Sequence, residues 1–210
     1  MTNDPHEIHF TSSKNVDPFH LESLYFQYMY MEKDGRVIND TVEVEDRGVV
    51  HMGRRAEWFN QQLEKKDAYL EQAVDGDKCI GFSLYFFGGG DSEDETTREL
   101  VDQFNLIQGG YLYLVCVDED WVRRRIGRSL VYRTMAMFQS CDVQLAVSEI
   151  AVTPRKNVRS SHLFTKAGWK SIGELSNYQV SDELVQYEKF YWQNEHLPSK
   201  LWTEAEDAAS

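Results

Sequence analysis

Arg123, Arg124, Arg125 and Arg128 fall within six residues, directly after the apolar run from Tyr111 to Val117 and a short acidic turn. A strand that passes through such a turn into a helix leaves unpaired backbone N–H groups at the positive end of a helix dipole, a ready site for phosphate. Gly127 lets a ligand approach the backbone closely, and the arginines add attraction. A second basic island, Arg155, Lys156, Arg159, Lys166 and Lys170, follows in a stretch with no acid. For any single charged run the plainer alternative is a solvated face.

Carboxylates and thiols supply the other candidates. The alternation Val147, Glu149, Ala151, Thr153 places Glu149 on an otherwise apolar strand face, where desolvation would raise its pKa toward that of a useful base. A sheet-edge or salt-bridged carboxylate is the alternative reading. Asp118 and Glu119 could serve instead, although loop carboxylates more often cap or are solvated. Cys116 reads as a small buried hydrophobe rather than a nucleophile. His6 and His9 have no third ligand in sight, so no metal site is expected.

The elements that must position these groups follow from periodicity. A short strand at Ile8 to Thr11 precedes a helix with Asp17 as N-cap and Pro18 at N1, carrying Leu21, Leu24, Tyr25 and Tyr28 on one face. Residues 31 to 51 read as a long loop, and a second helix spans about Arg54 to Lys66. Strands at Ala68 to Val74 and Lys78 to Phe87 join through Asp75-Gly76-Asp77 as a hairpin. An acidic excursion after Gly88, with a short helix from Thr97 to Phe104, leads to the central strand. The spacing then predicts a helix from Arg125 to Ser140 with Ile126, Leu130, Met137, Phe138 and Cys141 inward. A strand follows from Val143 to Thr153, then a helix from Asn157 to Ala167 closed by Gly168 at C′, then two strands near Lys170 to Ser176 and Val185 to Trp192. The aromatic group Tyr187, Phe190, Tyr191 and Trp192 could form core or a homodimer contact.

This is mixed α/β with a mostly antiparallel sheet flanked by helices: one domain over residues 1–197 and an acidic tail over 198–210. The net charge of −13 argues against nucleic-acid and anionic-membrane partners and suits a cationic one. Acid concentrates in residues 32–46 and 91–102, outside both basic islands. Three cysteines without a CxxC pair fit a reducing compartment, and with no leader-like N-terminus the expected location is cytoplasmic.

Two stretches resemble signatures of the GNAT acyl-CoA N-acyltransferases. Val117 to Gly127 is similar to the family's strand-to-helix pattern V-x-x-x-x-[RQ]-x-x-G-x-[GA], with Val122 at the Arg/Gln position and Arg125 at the first glycine. Asn157, Ser160, Leu163, Phe164, Lys166, Gly168 and Trp169 match N-x-x-[AS]-x-x-[LF]-Y-x-[KR]-x-G-[FW], with Phe164 in place of tyrosine. The order of elements over residues 7 to 193 is similar too.

The resemblance implies a GNAT-like fold and acetyl-CoA as acyl donor, with an amine as acceptor and no metal. It implies that the amides and side chains of Arg123, Arg124, Arg125, Ile126, Gly127, Arg128 and Ser129 meet the diphosphate. The pantetheine arm would run beside Val115, Cys116 and Val117 through a gap between the fourth and fifth strands, and Asn157 and Ser160 would complete the donor site. Phe164 holds the position of the family's tyrosine acid, and Ser161, one turn earlier, could orient a water. Arg125 at a glycine position would cost about 1 kcal/mol if φ is positive there. The competing expectation is a catalytically weak or inactive CoA-binding regulatory module, kept open by Phe164.

Overall fold

A computed structural model describes residues 8–28, 54–87, 109–153, 156–180 and 183–194. Seven strands form one sheet: β1 (Ile8–Ser12), β2 (Ala68–Asp75), β3 (Lys78–Phe87), β4 (Gly109–Val117), β5 (Leu145–Thr153), β6 (Lys170–Val180) and β7 (Glu183–Gln193). Their order across the sheet is β1-β2-β3-β4-β5-β7-β6. Every neighbouring pair is antiparallel except β4 and β5. Among the described residues, four helices flank it: α1 (Pro18–Phe26), α2 (Ala56–Glu64), α3 (Ile126–Ser140) and α4 (Val158–Lys166).

Local chemistry sets the ends of these elements. Asp17 caps α1 by accepting the Phe19 N–H at 3.0 Å, with Pro18 in the first turn where its missing N–H costs nothing. Gly76, at φ 58°, makes the turn between β2 and β3. Gly168, at φ 89°, ends α4 at the C′ position. Gly110 has a different reason: a Cβ there would stand 2.8 Å from the Phe138 ring, so glycine lets α3 lie close on β4.

Two apolar layers hold the sheet. On one face α1 and α2 bury Leu21, Leu24, Tyr25 and Phe59 against Leu70, Phe82, Leu84 and Val147. On the other, Val131, Met135 and Phe138 of α3 and Phe164 of α4 pack on Leu112, Ala146, Ile150, Phe190 and Trp192. Each such side chain contributes about 1.5–3 kcal/mol. Met137 and Cys141, expected inward, are only half-buried, because the 3.6-residue turn carries Thr134 and Met135 inward in their place. Phe190 and Trp192 lie in the core, which answers the choice between core and dimer contact for those two.

The loop expected at 31–51, the short helix at Thr97 to Phe104, Arg155, His6 and the tail from 198 lie outside the described residues.

Candidate active site

The parallel pair β4 and β5 is joined only at its start. Gly109, Gly110 and Tyr111 pair with Leu145, Ala146 and Val147. The Ser148 hydroxyl then donates to the Leu112 carbonyl at 2.7 Å, and no further backbone pairing joins the two strands among the described residues. The sheet therefore opens along the second half of β4. The gap expected between the fourth and fifth strands is present.

Past β4 the chain makes one 3₁₀ turn, Glu119–Trp121, capped by Asp118, whose carboxylate also pairs with Lys78 at 2.9 Å. Val122 is extended, and Arg123 and Arg125 both take left-handed backbone conformations, φ 70° and 65°. The sequence anticipated strain at Arg125; the structure adds Arg123. Strain of about 1–3 kcal/mol per residue persists where the surroundings over-determine it, and such alternation turns successive amides the same way, making an anion-binding nest. Arg125 is the N-cap of α3 yet supplies no side-chain cap, so the N–H groups of the first turn have no side-chain acceptor. Gly127 lies in that first turn.

A cavity of about 570 Å³ occupies this position. Its walls include Val115, Cys116 and Val117 from β4, then Arg123, Arg125, Ile126, Gly127 and Arg128, and Asn157 and Ser160 from the start of α4. All ten were expected there. No carboxylate lines it among the described residues. Such a volume, with apolar strand walls and a cationic mouth, fits an extended anionic cofactor.

Other expected residues lie elsewhere. The Arg124 guanidinium stacks on the Trp121 ring at 4.4 Å and does not line the cavity, because its backbone falls between two left-handed residues. Ser129 is also absent from the walls; its N–H makes the first helical bond, to the Arg125 carbonyl at 3.0 Å. Phe164 is 3 % exposed and packs on Trp169 (5.0 Å between centroids) and Phe190 (6.3 Å), so the tyrosine position of the motif belongs to the core. Ser161 donates to the Asn157 carbonyl at 3.1 Å and does not reach the cavity.

Glu149 is not in an apolar setting. Its carboxylate accepts the Tyr111 hydroxyl at 3.2 Å and the Ser176 hydroxyl, and Lys189 stands opposite it in the β5–β7 register. It lies outside the cavity walls, on the α1–α2 side of the opening. Tyr111 meets Tyr113 edge-on at 5.6 Å, and Tyr113 meets Trp58 at 5.2 Å in a tilted pair, with Arg54 over the Trp58 ring at 4.8 Å and bonded to the Tyr113 hydroxyl at 2.7 Å.

Seven further residues line the cavity: Tyr28, Trp121, Val122, Arg159, His162, Leu163 and Lys166. Tyr28 donates its hydroxyl to the Val117 carbonyl, and burial pushes its phenol well above the ordinary range. Arg159, His162 and Lys166 form one face of α4 toward the cavity; the basic island marked the first and last, and helical spacing would have added His162. Trp121 packs against the Ile126 and Leu130 cluster and lines the cavity as well. Burial pushes the Cys116 thiol up to about 12 and the Cys79 thiol to about 11, so neither is a nucleophile near neutral pH.

No family model matches the sequence, and no curated protein does either. Solved structures do match. NAA60 of Arabidopsis thaliana, in complex with a bisubstrate analogue, is 13 % identical, aligns over 90 % of this chain and 100 % of its own, and gives a TM-score of 0.63. An acetyltransferase structure of the GNAT family from Desulfovibrio desulfuricans is 12 % identical over 89 % and 99 %, with a TM-score of 0.59. An agmatine N-acetyltransferase is 11 % identical over 90 % and 100 %, with a TM-score of 0.61. Likeness at this identity establishes architecture, and the chain has the GNAT N-acetyltransferase fold.

Proposed function

We propose that this protein transfers an acetyl or short acyl group from acyl-CoA to a primary amine. The observation that carries this reading is the coincidence of three features. The sheet opens at β4, α3 begins without a side-chain cap, and a cationic cavity joins them. A second NAA60 structure holds acetyl-CoA, and this chain has the same fold. In this reading the first-turn amides of α3 and the nest before it bind the diphosphate, with each charge-assisted bond contributing about 1.5–3 kcal/mol. The β4 edge from Val115 to Val117 receives the pantetheine arm as an added strand. No acyl-enzyme forms, since the cavity's thiol, Cys116, is held protonated.

The acceptor enters from the α1–α2 side. An alkylamine is neutral in only about one molecule in 2,500 at pH 7, so a proton acceptor must stand near it. We assign that role to Glu149, whose two oxygens already accept hydrogen bonds and so are oriented. The carboxylate, together with the chain's net charge of −13, suits a cationic acceptor, a basic small molecule or a lysine-bearing peptide. With Phe164 turned into the core, no tyrosine at that position protonates the departing thiolate. A thiol of reference pKa about 8.5 leaves without one. The three free cysteines support a reducing, cytoplasmic setting.

A second reading, a CoA-binding module without catalysis, is favoured by that same Phe164. Thiol release from acetyl-CoA with a panel of amines separates the two. Turnover that depends on a cationic amine supports the enzyme; tight acetyl-CoA binding with no release above the amine-free rate supports the module.

A further inference from the structure

Lys189 is a buried charge beside the acceptor side of the sheet. It is 1 % exposed, among the largest fully buried side chains of the protein. Side chains alternate along β7: Phe190 and Trp192 pack with α3 and α4, so Tyr187, Lys189 and Tyr191 project to the α1–α2 side. The adjacent acid, Glu188, shares the Phe190 face and accepts the Ser171 hydroxyl at 2.5 Å. Directly across the strand pair from Lys189, on its own face, stands Glu149. Opposed residues of an antiparallel pair hold their Cβ atoms about 4.5–5.5 Å apart, well within reach of a lysine stem. Four strands thus bring polar groups to one place: Tyr111 from β4, Glu149 from β5, Ser176 from β6 and Lys189 from β7. An ammonium removed from water requires an opposite charge, and a carboxylate in the same setting without a cation takes up a proton. A base that already carries its proton accepts none from an amine.

We propose that Lys189 is a positioning residue for the reaction: its ammonium keeps Glu149 ionised and fixed, so that the carboxylate stands ready to take the proton of the acceptor amine. This rests on the Glu149 reading above and adds to it the group that sets its charge. The strand order favours the arrangement. In the run β4-β5-β7 the sheet opening lies on one side of β5 and Lys189 on the other, so the lysine balances the carboxylate from behind and leaves the approach to the acceptor. Among the described residues, the other ionisable groups on this face are Tyr111 and Tyr113 of β4, Tyr187 and Tyr191 of β7, Tyr25 of α1 and Arg54 ahead of α2. The tyrosines supply hydroxyls rather than positive charge, and Arg54 is engaged by Tyr113 and Trp58.

The test follows the Glu149 carboxyl carbon by NMR across pH in protein labelled at glutamate Cδ, its signal assigned by loss in Glu149→Gln. Lys189→Met keeps the stem and removes the charge, and Lys189→Arg keeps the charge. Melting curves check that both fold, with Lys189→Gln in reserve should the methionine variant not. The Glu149 midpoint is expected to rise by about one to three pH units in Lys189→Met and to return to within about half a unit of wild type in Lys189→Arg. The acid limb of amine-dependent thiol release from acetyl-CoA should rise with it, with activity recovering above the new midpoint; a lysine that only supports the fold would lower the rate at every pH. A midpoint that stays in place in Lys189→Met, or that moves in Arg54→Met instead, overturns the proposal and leaves Glu149 as the base. An acid limb unchanged in Glu149→Gln overturns the Glu149 reading and the proposal with it.

Discussion

Replacing Gly127 by alanine separates what the fold needs from what the ligand needs. A Cβ at this position would sit 3.5 Å from Val117 Cγ2 and 3.7 Å from Leu163 Cδ2, both ordinary contacts, and Gly127 is not among the positive-φ glycines. Nothing inside the protein opposes the methyl group. Alanine is favoured over glycine in a helix by about 0.5–1 kcal/mol, which raises the melting temperature by about 1–4 °C in a chain of this size. The same methyl stands between two side chains of the cavity wall, where a diphosphate must approach the first turn of α3. Losing one charge-assisted hydrogen bond of about 1.5–3 kcal/mol weakens acetyl-CoA binding by about 10- to 150-fold. Melting curves without ligand and calorimetry with acetyl-CoA read the two effects separately. The expected result is a variant more stable alone and a poorer binder. Unchanged affinity in a well-folded variant would refute close approach of the donor to Gly127.

Tyr28→Phe removes the phenol that occupies the Val117 carbonyl, freeing that acceptor for the donor arm, and should tighten acetyl-CoA by about three- to tenfold by calorimetry; weaker binding would mean that the hydroxyl touches the ligand instead. Phe164→Tyr places a hydroxyl in the core beside Trp169 and Phe190, so it should cost about 1–3 kcal/mol in denaturant unfolding and leave kcat unchanged, and a tenfold gain in kcat would contradict its core placement. The raised thiols of Cys79 and Cys116 make stability depend on alkaline pH. Below about pH 8.5 both states keep these protons. Above it the unfolded chain loses them and the native one holds them until about 11 and 12, so stability falls as pH rises, by up to about 1.4 kcal/mol per unit per thiol. The Cys79→Ser, Cys116→Ser double variant should show a flatter alkaline profile, and an equally steep one would assign the dependence to other groups.

What could be read from the sequence was local. Asp17 before Pro18, the Asp75-Gly76-Asp77 turn and Gly168 after Ala167 are backbone requirements expressed in adjacent residues, and the structure has a boundary at each. The phosphate-facing loop was legible for the same reason, since strand, turn, glycine and arginines are contiguous. Side-chain direction was not. Tyr28 meets Val117 across 89 positions, and Glu149 takes its donors from Tyr111 and Ser176, 38 and 27 positions away, so neither environment is written near the residue it governs. Phe164 sits one residue after the cavity-lining Leu163, and the 100° step between them turns it to the sheet. Its match to the motif fixed its place on the helix and left open whether the cavity or the core would receive it.

The central claim is that backbone amides at the start of α3, with the arginines around them, grip the diphosphate of an acyl-CoA. A crystal structure of the acetyl-CoA complex tests it most directly. Diphosphate oxygens are expected within about 2.7–3.2 Å of first-turn nitrogens around Gly127, and pantetheine amides along the β5-facing edge of Val115 to Val117. Acetyl-CoA bound elsewhere, with this cavity empty or filled by protein side chains, would contradict it.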